Sequence, residues 1–188
     1  MRQTPLNRSR VSLPTAAIAV VAAIGASPAQ AAKPVSCANA DLVPNAANGA
    51  SARSATLCLI NVERRSRGIR ALRSNSRLRN AAQRYAEQMV RQNFFGHVSP
   101  SGSTLLQRIR KAAYLNSTRA YSVGENLAWG TRELSTPRQT VRSWMGSPPH
   151  RANMLDRGFR EIGIGVAIGV PRGDDPGATY ATEFGRRS

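Results

Sequence analysis

Apolar and polar positions change period along this chain. Between residues 76 and 92, Leu78, Ala81, Ala82, Tyr85, Met89 and Val90 recur at steps of three and four, while Arg77, Arg79, Arg84, Glu87 and Arg91 fall mostly on the opposite side. That spacing predicts an amphipathic helix with one buried stripe. Asn75 or Ser76 supplies its cap, it fades near Asn93, and its charged side reads as a solvated face. Near the C-terminus the period becomes two. Ile162, Ile164, Val166, Ile168 and Val170 alternate with Gly163, Gly165, Ala167 and Gly169. A strand written this way has one branched, apolar face and one nearly bare face, and the bare face invites a helix or loop to pack very close.

Weaker signals fill in the rest. Ser54 or Thr56 is a candidate cap for a first helix carrying Leu57 and Ile60 and ended by Gly68, with Arg64, Arg65 and Arg67 near its C-terminus complementing the helix dipole. Ser103 or Thr104 opens a short helix with Leu105, Leu106, Ile109 and Ala113 inward. Thr136, Pro137 and Gln139 form a compact helix start, followed by Val141, Trp144 and Met145 and stopped by Gly146. Residues 178–184 read as a second strand, antiparallel to the first across a turn-rich link. Helices come first and neighbouring strands last, without repeats, which predicts an α+β fold and excludes a doubly wound parallel sheet.

Composition adds a destination. Residues 1–31 have a positive start (Arg2, Arg8, Arg10), an apolar run over 16–26 and the small-x-small triplet Ala29-Gln30-Ala31, the layout of a secretory signal peptide. The run is short for a membrane span, so the mature chain is expected to have no transmembrane segment. Residues 32–53 read as an N-terminal strap and 54–186 as one domain. Removing the signal lowers the formal charge from +17 to +14, because three arginines leave and no acid does. Such a surface favours an anionic cell-envelope polymer or lipid headgroups. With no run of five or more basic residues and no basic–aromatic interleaving, specific nucleic-acid binding is not expected. Cys37 and Cys58 are the only cysteines, and in an exported chain an even count predicts a disulfide tying the strap to the first helix.

The candidate chemistry gathers around Val123-Gly124-Glu125-Asn126-Leu127-Ala128-Trp129-Gly130. Glu125 sits among small and apolar neighbours, 28 residues after His97 and 25 before His150, the only two histidines. Each histidine lies in a Gly/Ser/Pro-rich stretch, FFGHVSPSG and GSPPHRAN, read as loops that bring all three side chains into one cleft.

Four ordered stretches resemble the CAP superfamily of cysteine-rich secretory proteins, antigen 5 and pathogenesis-related proteins (the SCP domain), in its compact bacterial secreted form. They are FFGHVSPSG (94–102), GENLAWG (124–130), SWMGSPPHRANML (143–155) and FREIGIGVAIG (159–169), ending in TYATEFG (179–185). The resemblance implies an α-β-α sandwich and an open cleft in which His97, Glu125 and His150 take the positions of the family's cleft residues. It departs where animal and plant members carry a second glutamate after the tryptophan helix: Ser147 stands there. It also implies divalent-metal, sterol or lipid binding, or proteolysis, without choosing among them.

Three functions compete. His97, His150 and Glu125 could hold Zn²⁺ or another divalent metal with one position open to water, or Glu125 could simply accept hydrogen bonds from the histidines and order the loops. A peptidase-like hydrolase needs a serine beside an oriented histidine; Ser99, Ser101 and Ser147 are nearby in sequence, yet none lies in a GxSxG elbow and no HExxH motif exists. A non-enzymatic secreted module needs only the cleft, with Phe94, Phe95, Trp129 and Trp144 as candidate walls. Trp144 is in register for the core, and Asn126 and Asn153 read as loop-ordering groups. The binding module is the expectation; the hydrolase is its alternative.

Overall fold

The computed structural model describes residues 36–116 and 120–188. The signal-peptide reading of residues 1–31 and the start of the strap lie outside them. Helix α1 spans Gly49–Arg65, strand β1 Arg73–Ser74, α2 Ser76–Arg91, α3 Leu105–Lys111, β2 Tyr121–Thr131, α4 Pro137–Gly146, α5 Pro148–Leu155, β3 Glu161–Ile168 and β4 Gly177–Arg187. The four strands form one sheet in the order β1-β3-β4-β2. The β3–β4 and β4–β2 pairs are antiparallel, and the short β1 runs parallel to β3.

The sheet is covered on both faces, which makes the α-β-α sandwich. Ile162, Ile164 and Val166 of β3, with Tyr180 and Phe184 of β4, join Ile60 of α1, Val141 and Trp144 of α4 and Met154 of α5 in the larger core. The opposite face carries Ala82, Tyr85, Ala86 and Met89 of α2 against Leu127, Ala167 and Ala181. The bare side of β3 is what lets α2 in. A Cβ on Gly163 would lie 2.0 Å from the Leu78 carbonyl carbon, and one on Gly165 would lie 2.4 Å from that of Ala82. Asn75 starts α2 by accepting hydrogen bonds from the Arg77 and Leu78 amides. Thr104 and Gln107 form a capping box at α3.

Three expectations need correction. The first helix begins at Gly49 with Asn48 at its cap position, inside the expected strap. Its first turns are built on alanines, and Ala52 and Ala55 are buried: alanine forms helices well but adds little to an apolar stripe. Arg64 serves more than the helix dipole. It is fully buried, and its guanidinium donates to the carbonyls of Arg70, Met154 and Asp156, pinning the ends of α1 and α5 together. The VGENLAWG stretch, given no element from sequence, lies within β2, paired with β4 along its whole length. His150 sits in the first turn of α5, since prolines at 148 and 149 occupy helix positions whose amides need no intrahelical partner. Cys37 and Cys58 are disulfide-bonded, as expected.

Candidate functional site

Register decides which side chains meet. Glu125 of β2 is directly opposite Glu183 of β4, and Glu183 is directly opposite Gly163 of β3. Cross-strand partners share a face, so the two carboxylates both project to the α2 side. Both are buried. Two acids in such a place need a cation, and Arg108 of α3 supplies it. One of its Nη atoms donates to Glu125 Oε2. The other donates to the carbonyls of His97 (3.2 Å) and Ser103 (2.9 Å). Its guanidinium carbon lies over the Tyr85 ring, 3.4 Å from the centroid. The Tyr85 hydroxyl donates to the Gly96 carbonyl, and burial pushes its pKa up to about 12. The segment bearing His97 is thus held from below by Tyr85, Arg108 and Glu125.

Glu125 Oε1 is 2.7 Å from His97 Nδ1. The carboxylate holds the His97 pKa above its ordinary value, against the opposing effects of burial and Arg108. With Nδ1–H donating to Glu125, Nε2 is the remaining ring nitrogen, on a side chain 58 % exposed. His150 shifts the other way: burial lowers its pKa, and the charge of His97 adds to that. Near neutral pH, His150 is accordingly biased toward the neutral imidazole.

His150 is positioned through its backbone. Asn126 Nδ2 donates to the His150 carbonyl (2.9 Å), while Asn153 Nδ2 donates to Asn126 Oδ1 (2.9 Å) and to the Glu125 carbonyl (3.0 Å). The two asparagines therefore lock α5 onto the edge of β2; they order the structure by bridging a strand and a helix, not by capping their own loops as expected. Trp144 Nε1 likewise donates to the Leu127 carbonyl, and its ring is buried, as its register predicted. Trp129 is exposed and, with Leu134 and Gln139, lines a groove of about 530 Å³ beside α4. Phe95 is exposed, whereas Phe94 packs edge-on against Tyr85.

Two of the serines weighed for a hydrolase have other occupations. Ser99 Oγ shares a hydrogen bond with Ser101 Oγ and accepts one from the Ser103 amide. Ser147 stands at the cap position of α5 without a side-chain capping bond. Among the described residues no group of three or more His, Cys, Asp or Glu side chains converges as metal ligands. Sequence reasoning missed Arg108 and Glu183. Arg108 lies three residues after Leu105 and one before Ile109, a charge set on the edge of an apolar stripe, and that was its available signal. Glu183 gave a similar one, an acid in phase with Ala181 on a strand buried on both faces.

Residues 57–180 match the model of the cysteine-rich secretory protein (CAP) family. The Bacillus subtilis protein YkwD is 32% identical over 107 residues, which cover 57% of this chain and 39% of the relative; the chain spans about two-fifths of that protein's length. Among solved structures, an extracellular protein containing an SCP domain from Bacillus anthracis superposes with a TM-score of 0.58 at 23% identity, covering 72% of this chain and 40% of that one. An outer surface protein of Borrelia burgdorferi superposes with a TM-score of 0.57 at 21% identity, covering 70% of this chain and 90% of that one. At these identities the two structures speak for the fold.

Proposed function

The chain belongs to the cysteine-rich secretory protein family, and from that premise we propose that it is an exported ligand-binding module whose working surface is the β2 edge at Glu125, flanked by the segment with His97 and the first turn of α5 with His150. One observation carries the reading: both oxygens of Glu125 are engaged, one by His97 and one by Arg108. A carboxylate so occupied orients an imidazole instead of meeting the ligand. The exposed groups left for a ligand are the His97 ring and the nearby Phe95, with Trp129 in a separate apolar groove beside α4. Export is supported by the disulfide and by the signal-like residues 1–31, and a lipid, sterol or envelope-polymer ligand by the apolar walls and cationic surface.

The donor set also fits a weakly held divalent ion. An imidazole whose Nδ1–H is held by a carboxylate presents Nε2 in the tautomer a metal requires. His97 and the neutral-biased His150 are the ligands in this reading, and Glu125 is the orienting group. The ion, when bound, would offer open positions to a ligand's oxygen atoms.

Calorimetric titration of Zn²⁺ into metal-stripped protein near neutral pH tests this. Saturable binding is expected in the wild type and none in His97→Ala/His150→Ala. Glu125→Gln should weaken affinity by about 10- to 100-fold without abolishing it. Binding that survives in the double variant, or is absent from the wild type, would remove the metal from the proposal.

A further inference from the structure

Helices α2 and α3 bound a groove of about 510 Å³ lined by Arg84, Tyr85, Gln88, Arg91, Arg108 and Lys111. It contains neither histidine. Arg84, Arg91 and Lys111 are exposed, and among the described residues none of the three forms an ion pair. Arg108 is buried beneath them and faces down toward Glu125. The acids nearby leave a net positive charge. Glu87 also lines the groove and accepts a hydrogen bond from Gln83; its one carboxylate offsets one of the three exposed cations. Glu125 is balanced by Arg108, and burial holds Glu183 toward its neutral form. The helix side that reads from sequence as a solvated face is thus one wall of a concave cationic trough, with α3 bringing Lys111 as the other wall.

Spacing identifies the ligand class. Arg84, Gln88 and Arg91 lie at i, i+4 and i+7, on one side of α2. Seven residues advance about 10.5 Å along a helix, so a ligand carrying several oxyanions in a row can engage both arginines at once. Guanidinium forks suit phosphate and carboxylate oxygens, and Lys111 adds a point charge. We infer that the α2–α3 groove is a binding site for a linear polyanion carrying successive phosphate or carboxylate groups, laid along α2 from Arg84 to Arg91.

The test uses the full chain and two probes, short-chain inorganic polyphosphate and oligogalacturonate, titrated at several salt concentrations. The groove variant is Arg84→Glu/Arg91→Glu/Lys111→Glu. A control of equal charge change, Arg65→Glu/Arg70→Glu/Arg172→Glu, reverses exposed arginines elsewhere. The wild type should bind at least one probe saturably, and the tighter of the two assigns the oxyanion as phosphate or carboxylate. The groove variant should lose about tenfold or more in affinity, and its plot of log affinity against log salt should flatten by about one for each cation removed. The control should keep most of the affinity, and circular dichroism should show both variants folded. Equal losses in the two variants would overturn the site in favour of diffuse surface charge, as would no saturable binding of either probe.

Discussion

A carboxyl group buried without a hydrogen-bond donor resists ionisation. Glu183 is in that position: it is fully buried, neither oxygen has a hydrogen-bond partner among the described residues, and Arg108 Nε stays 3.9 Å away. Burial raises its pKa well above 4.5, the charge of Glu125 across the strand raises it further, and Arg108 and Arg84 oppose the shift. The folded chain then keeps a proton that the unfolded chain releases. Stability from this group is fully present below the unfolded carboxylate value and is lost as pH rises toward the folded one, at up to about 1.4 kcal/mol per pH unit. Glu183→Gln, which cannot ionise, should be the more stable protein at alkaline pH, and the difference should shrink to a pH-independent offset in acid. Thermal melts of both proteins across pH check this; parallel curves would mean that Glu183 does not titrate on unfolding. Of the three residues read from sequence as the site, Glu125 meets His97 directly and His150 is tied to the neighbouring Asn126 through its backbone, and this division of labour was not legible there. It depends on Arg108, which takes one Glu125 oxygen and leaves the other for His97.

At the scale of elements, the sandwich depends on how closely α2 approaches β3. Gly165→Ala would put a methyl carbon 2.4 Å from the Ala82 backbone, so helix and sheet must separate. Overpacking of this kind costs about 1–3 kcal/mol. Gly146→Ala is the matched control, because nothing lies within 4 Å of its added Cβ at the end of α4, and it should be neutral or stabilising by up to about 1 kcal/mol. Urea denaturation of both variants measures the contrast; equal stabilities would contradict the packing argument. Elements with a strong local signature were legible: α2 by its stripe and Asn75 cap, β3 by its alternation, α4 by Thr136 and Pro137. Strand β2 was not. Glu125, Leu127 and Trp129 share one face with Gly124, Asn126 and Ala128 on the other, and neither set is uniformly apolar. Its extended form comes from pairing with β4 along eleven residues.

For the molecule as a whole, the disulfide ties the segment before α1 to the middle of that helix. Arg138 reinforces the anchorage by pairing with Asp41 through two hydrogen bonds. Replacing both cysteines by serine should lower stability by about 2–4 kcal/mol in chemical denaturation, and the wild-type thiols should react with alkylating reagents only after reduction. Ready alkylation without a reductant would show the bond to be absent from the isolated protein. Among the described residues no helix is long and apolar enough to cross a membrane.

The sequence by itself determined the α+β class, the strongly periodic helices and strands and the cysteine pair. Each of these rests on local periodicity, on capping chemistry or on the rarity of a residue type, and such signals survive without knowledge of the fold. Tertiary structure alone decided that Glu125 faces Glu183, that Arg108 lies against both, that His150 rides on a helix and that α3 closes the wall of a cationic groove. The contacts among them join residues from 17 to 75 positions apart (Arg108 to Glu125 and Arg108 to Glu183) through sheet register and helix packing, which no short window of sequence encodes.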